Sequence, residues 1–238
     1  MRKLRVMLLA AVLSGGAPVL QAQDSAAIVI PPPPLPAMPF PPRDEGSADA
    51  DWMRFRNELL SAVQRKDLVA VMNAVAPDVR NGIGRPDGHE EFRRQWSVGD
   101  VDSPLWRELP RALSLGAVYY QNERIPRSLC APYVLPYWPA DSDWRSNGAI
   151  TVKDSPMRVM PSVNSPVINT LGHVIVRVID WEVADTDQAT RQKWVKITVD
   201  GKDGFIPEEQ IRSPIEHLAC FRRSSSGWQL HSLLAAGE

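Results

Sequence analysis

The groups in this chain able to act as nucleophile, proton carrier or metal ligand are few and scattered. They are two cysteines, Cys130 and Cys220, and four histidines, His89, His173, His217 and His231. A zinc site takes ligands a few residues apart on one element, and no histidine here has a partner at that spacing. "HEEF" at His89 lacks the second histidine of a zinc-hydrolase helix. A cysteine nucleophile needs a helix N-terminus or a cationic neighbour to become a thiolate at neutral pH. Cys130 instead precedes Ala131-Pro132-Tyr133, which is apolar and strand-like. There is no Gly-x-Ser-x-Gly elbow. The carboxylate pairs Asp141 and Asp143, and Glu208 and Glu209, read as solvated turn residues without catalytic weight. The expectation is a non-enzymatic protein with no cofactor and no metal.

Binding is the remaining class, and bulk charge narrows it. With 27 basic and 28 acidic side chains the net charge is -1, so no global field draws in nucleic acid or an anionic membrane. The start, "MRKLRVMLLAAVLSGGAPVLQAQDS", has a basic end, an apolar run from Val6 to Leu13 and Ala22 placed for cleavage. Residues 1 to 22 read as a secretory signal peptide. The apolar run is shorter than the roughly 20 residues that span a bilayer, so no stable membrane insertion is expected after cleavage. Export makes a Cys130–Cys220 disulfide the favoured reading over two buried free thiols. Closing a loop of about 90 residues contributes on the order of 4 kcal/mol in the chain-entropy model.

Many of the 22 prolines crowd into residues 23 to 46, "IVIPPPPLPAMPFPPRDEG", read as a disordered, semi-rigid spacer. From 47 to 140 the pattern predicts a helix-rich α+β domain. Trp52, Phe55, Leu59, Leu60 and Val63 share one helical face. Asp67 caps a second helix carrying Leu68, Val71, Met72 and Val75, stopped by Pro77. "DGHEEFRRQW" predicts a helix with Asp87 facing Glu90 across its first turn. "SPLWRELPRALSLG" predicts another, capped by Ser103 and broken or kinked at Pro110. "AVYY" and "CAPYVLPYW" read as strands.

Residues 149 to 213 are dominated by β-branched side chains and turn at Asp200-Gly201. Met157-Arg158-Val159-Met160-Pro161-Ser162, then Ser165-Pro166-Val167-Ile168-Asn169-Thr170-Leu171-Gly172, a strand from Val174 to Ile179, Trp194-Val195-Lys196-Ile197 and Gly201-Lys202-Asp203-Gly204-Phe205-Ile206 follow in order. This series resembles a bacterial SH3-like (SH3b) domain over about a quarter of the chain. Met160 stands where that family has glycine, Phe205-Ile206 where it has Trp-Val, and the loop after Ile179 is long. The resemblance implies a small closed β-barrel and a ligand such as peptidoglycan or a protein segment. It also puts Trp194 and Phe205 at positions forming barrel core and groove wall. Trp181, beside the polar insert "ADTDQATRQ", is the expected exposed aromatic and binding anchor.

Residues 214 to 238 read as a hairpin with Trp228, Leu230 and Ser232 on one face. The barrel leaves this hairpin no seat, so it is expected to return to the first unit and pack there. "KDLVAVMNAVAPDVR" with "GWQLHSLL" also resembles, over a short stretch, the NTF2-like fold, which implies a small-molecule pocket lined by Tyr119, Tyr120 or Asp78. Two functions follow as expectations. One is binding or assembly at the cell envelope through the SH3-like half, with a cell-wall component or envelope protein as partner and a periplasmic or secreted location. The other is an NTF2-like pocket domain with the barrel as an accessory.

Overall fold

The computed structural model describes residues 37–187 and 192–235. The expected signal peptide, the spacer up to residue 36 and part of the insert before Trp194 lie outside the described residues. Among the described residues the architecture is α+β, with four α-helices and two sheets.

The smaller sheet contains β2 (Val75–Arg80), β3 (Val118–Tyr120), β4 (Ser128–Ala131), β12 (Leu218–Ser224) and β13 (Gly227–Leu234). Its order is β2-β13-β12-β4-β3, antiparallel except for the β2–β13 pair. One face is covered by α1 (Ala50–Gln64), α2 (Leu68–Ala74), α3 (His89–Gln95) and α4 (Leu105–Leu113). Asp49 starts α1 by accepting the amides of Asp51 and Trp52, and Asp67 starts α2 by accepting that of Ala70. Trp52, Phe221 and Trp228 then meet edge to face between α1 and the sheet.

The larger sheet contains β1 (Met38–Pro39), β5 (Asn147–Ile150), β6 (Ser155–Arg158), β7 (Val167–Leu171), β8 (Val174–Ala184), β9 (Lys193–Val199), β10 (Lys202–Pro207) and β11 (Ile211–Arg212). Its order is β11-β5-β8-β9-β10-β6-β7, with β1 added on β8. Asp200 and Gly201 both take positive φ, 49° and 75°, in the two-residue turn joining β9 to β10, as a right-twisted hairpin requires. The strands curl over one core in which Met157, Leu171, Val195, Ile197 and Ile211 meet. Among the described residues no pairing joins β7 to β11, so no closed barrel is found.

Several local expectations are corrected. Pro77 does not stop a helix but sits inside β2, because an edge strand can spare the amide that proline lacks. The helix at His89 is preceded by Gly88 at φ 106°, with no side-chain cap from Asp87. Pro110 lies within α4, whose turns are held by the fully buried Leu109, Ala112 and Leu113. The strand through Cys130 ends at Ala131, and the prolines that follow lead into turns closed by Tyr137 on Tyr133 and Trp138 on Leu135. Residues 37 to 46 are not spacer. Phe40 is buried against Tyr133, and it shares a core with Val118 of the smaller sheet and Ala149 and Ile175 of the larger.

Candidate functional site

The face of the smaller sheet turned away from the helices carries the candidate site. Alternation along β4 puts Ser128 and Cys130 on that face, and along β12 it puts Leu218 and Cys220 there. Cys220 pairs directly with Cys130 across the ladder, and a disulfide joins them. On β13 the alternation is interrupted. Cys220 opposes Ser232 while Phe221 opposes Leu230, so His231 is one residue too many on its strand, a β-bulge. The bulge turns both His231 and Ser232 toward the disulfide face, while Leu230 and Leu233 remain with the helices. This overturns the expectation that Ser232 shares a face with Trp228 and Leu230. The physical reason is that a period of two does not survive an inserted residue.

Above this floor lies a partly enclosed cavity of about 240 Å³. Its apolar wall is Ile83, Ile125, Pro126, Leu135, Leu218 and Leu234, and its polar groups include Arg80, Arg124, Arg222 and His231. No acidic side chain is among the described residues that line it. The loop over the cavity is shaped by Asn122, whose Oδ1 accepts the amides of Arg124 (2.9 Å) and Ile125 (2.6 Å). Asn122 Nδ2 donates to the Tyr120 hydroxyl at 3.2 Å, and Arg80 Nη1 donates to the Arg124 carbonyl, which ties the loop to β2.

Arg222, His231 and Asp78 form the cavity's charged corner. The Arg222 guanidinium abuts the His231 ring, while Asp78 approaches His231 Nε2 at 3.5 Å and Arg222 Nη2 at 3.9 Å. Arg222 Nε is buried and meets no acceptor. Burial, then the adjacent Arg222 charge, holds the His231 imidazole below its ordinary pKa, with Asp78 opposing. Of the pocket residues expected from sequence, Tyr120 lines this cavity and Asp78 stands at its charged corner, whereas Tyr119 lines a separate surface groove. Arg80, Arg124, Arg222 and His231 join Tyr120 in the lining without a motif that marks them in the sequence. Arg222 carried one signal, since it lies two residues beyond Cys220 on the same strand.

The expected binding aromatics are not brought together. Trp194 is 0% exposed, with its indole Nε1 donating to Asp185 Oδ2 at 3.0 Å, and so forms part of the interior. Phe205 is partly buried opposite Lys196 and Arg158. Trp181 alone reaches a concavity, an open cleft of about 710 Å³ between α4 and the larger sheet. Its ring rests so closely over Gly148 that a Cβ there would lie 2.7 Å from it. The cleft's charges largely satisfy one another. Arg111 pairs with Glu208 (3.7 Å) and Glu216 (3.5 Å), and Glu216 also pairs with the buried Arg212 (3.4 Å). Glu108 is held down to about 2, chiefly by its hydrogen bond with His217 and, against the effect of burial, also by Arg107.

Asp143 serves a turn, accepting from Arg145 N at 3.1 Å and Ser146 Oγ at 2.7 Å. Glu208 and Glu209 line the same open cleft as Glu108 and Glu216. Compared with protein-family models, curated proteins and solved structures, the chain matches none of them.

Proposed function

We propose that this is an exported, non-enzymatic binding protein that takes a small, mainly apolar molecule into the cavity on the disulfide face of its smaller sheet. The observation that carries the reading is the cavity itself, with one apolar wall and a few convergent polar groups, the usual make-up of a ligand site. Export is supported by the Cys130–Cys220 disulfide, which persists in an oxidising compartment. No helix among the described residues is long and apolar enough to cross a membrane. A periplasmic or secreted location fits both.

The test is a titration of the chain with 1-octanol followed by amide chemical shifts. Saturable shifts confined to residues 80 to 83, 120 to 126, 218 to 222 and 231 to 235 are expected. An absence of saturable shifts there defeats the reading.

A second reading is favoured by Trp181, the one expected binding aromatic that lines a cleft. In it the SH3-like half mediates binding or assembly at the cell envelope, on peptidoglycan or an envelope protein. The cleft's mutual ion pairs leave less for a ligand to satisfy, and for that reason it stands second. Retention of the chain on isolated peptidoglycan that is lost with Trp181→Ala would promote it.

A further inference from the structure

The ligand's chemical class follows from what the cavity lacks. Arg80, Arg124 and Arg222 all line it, no acidic side chain among the described lining residues answers them, and the rest of the wall is apolar. Like charges brought together beside a low-dielectric wall repel unless an anion joins them. Asp78 does not fill that role, since its side chain is 73% exposed and it approaches Arg222 only to 3.9 Å. The buried Arg222 Nε remains without an acceptor. Three guanidinium groups that meet no acidic side chain among the described lining residues, next to an aliphatic wall, call for a ligand with one anionic end and one hydrocarbon end.

Size narrows the class further. A cavity of about 150 Å³ holds benzene, which scales to a ligand of about ten non-hydrogen atoms for this one. We propose, resting on the pocket reading above, that the site binds amphiphilic carboxylates of medium length. The carboxylate meets Arg222 beside Arg80 and His231, and the tail lies along Leu218, Leu234 and Ile125. Arginine suits the head because its planar fork matches a carboxylate's two oxygens. The β-bulge at His231 makes the corner possible, since without the extra residue His231 and Ser232 could not both face the cavity.

The experiment is calorimetric titration of the full chain with octanoate, 1-octanol and octylamine, repeated on Arg222→Gln and Arg222→Lys. A charge-assisted hydrogen bond sets the expected preference for octanoate over 1-octanol at roughly tenfold or more. Octylamine should bind more weakly than either. Arg222→Gln should abolish the preference for octanoate over 1-octanol, and Arg222→Lys should keep part of it. Equal binding of octanoate and 1-octanol by the parent chain overturns the carboxylate assignment and leaves the pocket reading standing. Binding of neither, with the fold intact by circular dichroism, overturns both.

Discussion

Cys220 lies directly opposite Cys130 in the antiparallel β12–β4 pair, and the disulfide between them spans 90 residues of chain. Most of the larger sheet and α1 to α4 divide on either side of that link: residues 147 to 212 fall inside the closed loop, and the helices precede it. The bridge therefore fixes where the chain returns after building the larger sheet. It also braces the floor of the cavity, since Leu218 and Ser128 lie two residues from its ends on the same face.

The double substitution Cys130→Ser with Cys220→Ser should lower unfolding stability by about 2–4 kcal/mol, the usual scale for a disulfide closing a long loop. Urea denaturation of oxidised parent and variant measures it. Equal midpoints would mean that strand pairing alone holds β12 on β4.

His231 should make stability depend on pH in a defined window. Its imidazole is held below the ordinary value by burial and by Arg222, with Arg80 adding to that effect and Asp78 opposing it. The unfolded chain therefore takes up a proton first as pH falls below about 6.5, and the folded state loses stability from there down to its own lower pKa. Melting temperature between pH ~8 and ~5 should decline in the parent and decline less in His231→Gln. Parallel curves would show that the ring is not desolvated as its surroundings imply.

These two cases mark what was legible in the sequence. The cap at Asp67 and the Asp200-Gly201 hairpin depend on local chemistry and are found where a local rule puts them, while the disulfide was legible because two cysteines allow one pair; at α4 the helix begins after Pro104 rather than at a Ser103 cap, although Ser103 Oγ accepts the Leu105 amide. The cavity was not legible. Its cations come from residues 80, 124 and 222, on separate elements, and a bulge is what lets His231 and Ser232 both line it. A bulge has no composition of its own, so strict alternation along "GWQLHSLL" assigned Ser232 to the wrong face. The core role of Phe40 is hidden in the sequence for a related reason. Proline-rich sequence reads as spacer, and only the tertiary pocket formed by Tyr133 and Trp138 makes its aromatic ring a core residue.

Glu108 governs a second and lower pH window. Its side chain is nearly buried, and its hydrogen bond with His217 and ion pair with Arg107 bring it from 4.5 to about 2. A depressed carboxylate stabilises the fold above its unfolded value, and that contribution is lost as pH falls from about 4.5 toward about 2. Glu108→Gln should cost about 1–3 kcal/mol at neutral pH and flatten the acid limb of the stability curve. Acid titration of the two proteins by far-ultraviolet circular dichroism separates this window from that of His231, whose loss begins at higher pH.

Trp194 and Trp181 should separate interior packing from surface recognition. Trp194 is fully enclosed and its indole N–H is satisfied by Asp185, so Trp194→Ala removes a large buried ring and one hydrogen bond. Such a change should cost about 3–5 kcal/mol. Trp181 is only partly buried, resting over Gly148 with one side on the open cleft, and Trp181→Ala should cost about 1–2 kcal/mol. Urea unfolding ranks the two, and retention on isolated peptidoglycan is then compared at matched folded fractions. If Trp181→Ala alone loses retention, the cleft is a recognition surface and the larger sheet has a ligand of its own. If neither variant changes retention once folding is matched, both rings act only in packing, and recognition lies with the arginine-lined cavity of the smaller sheet.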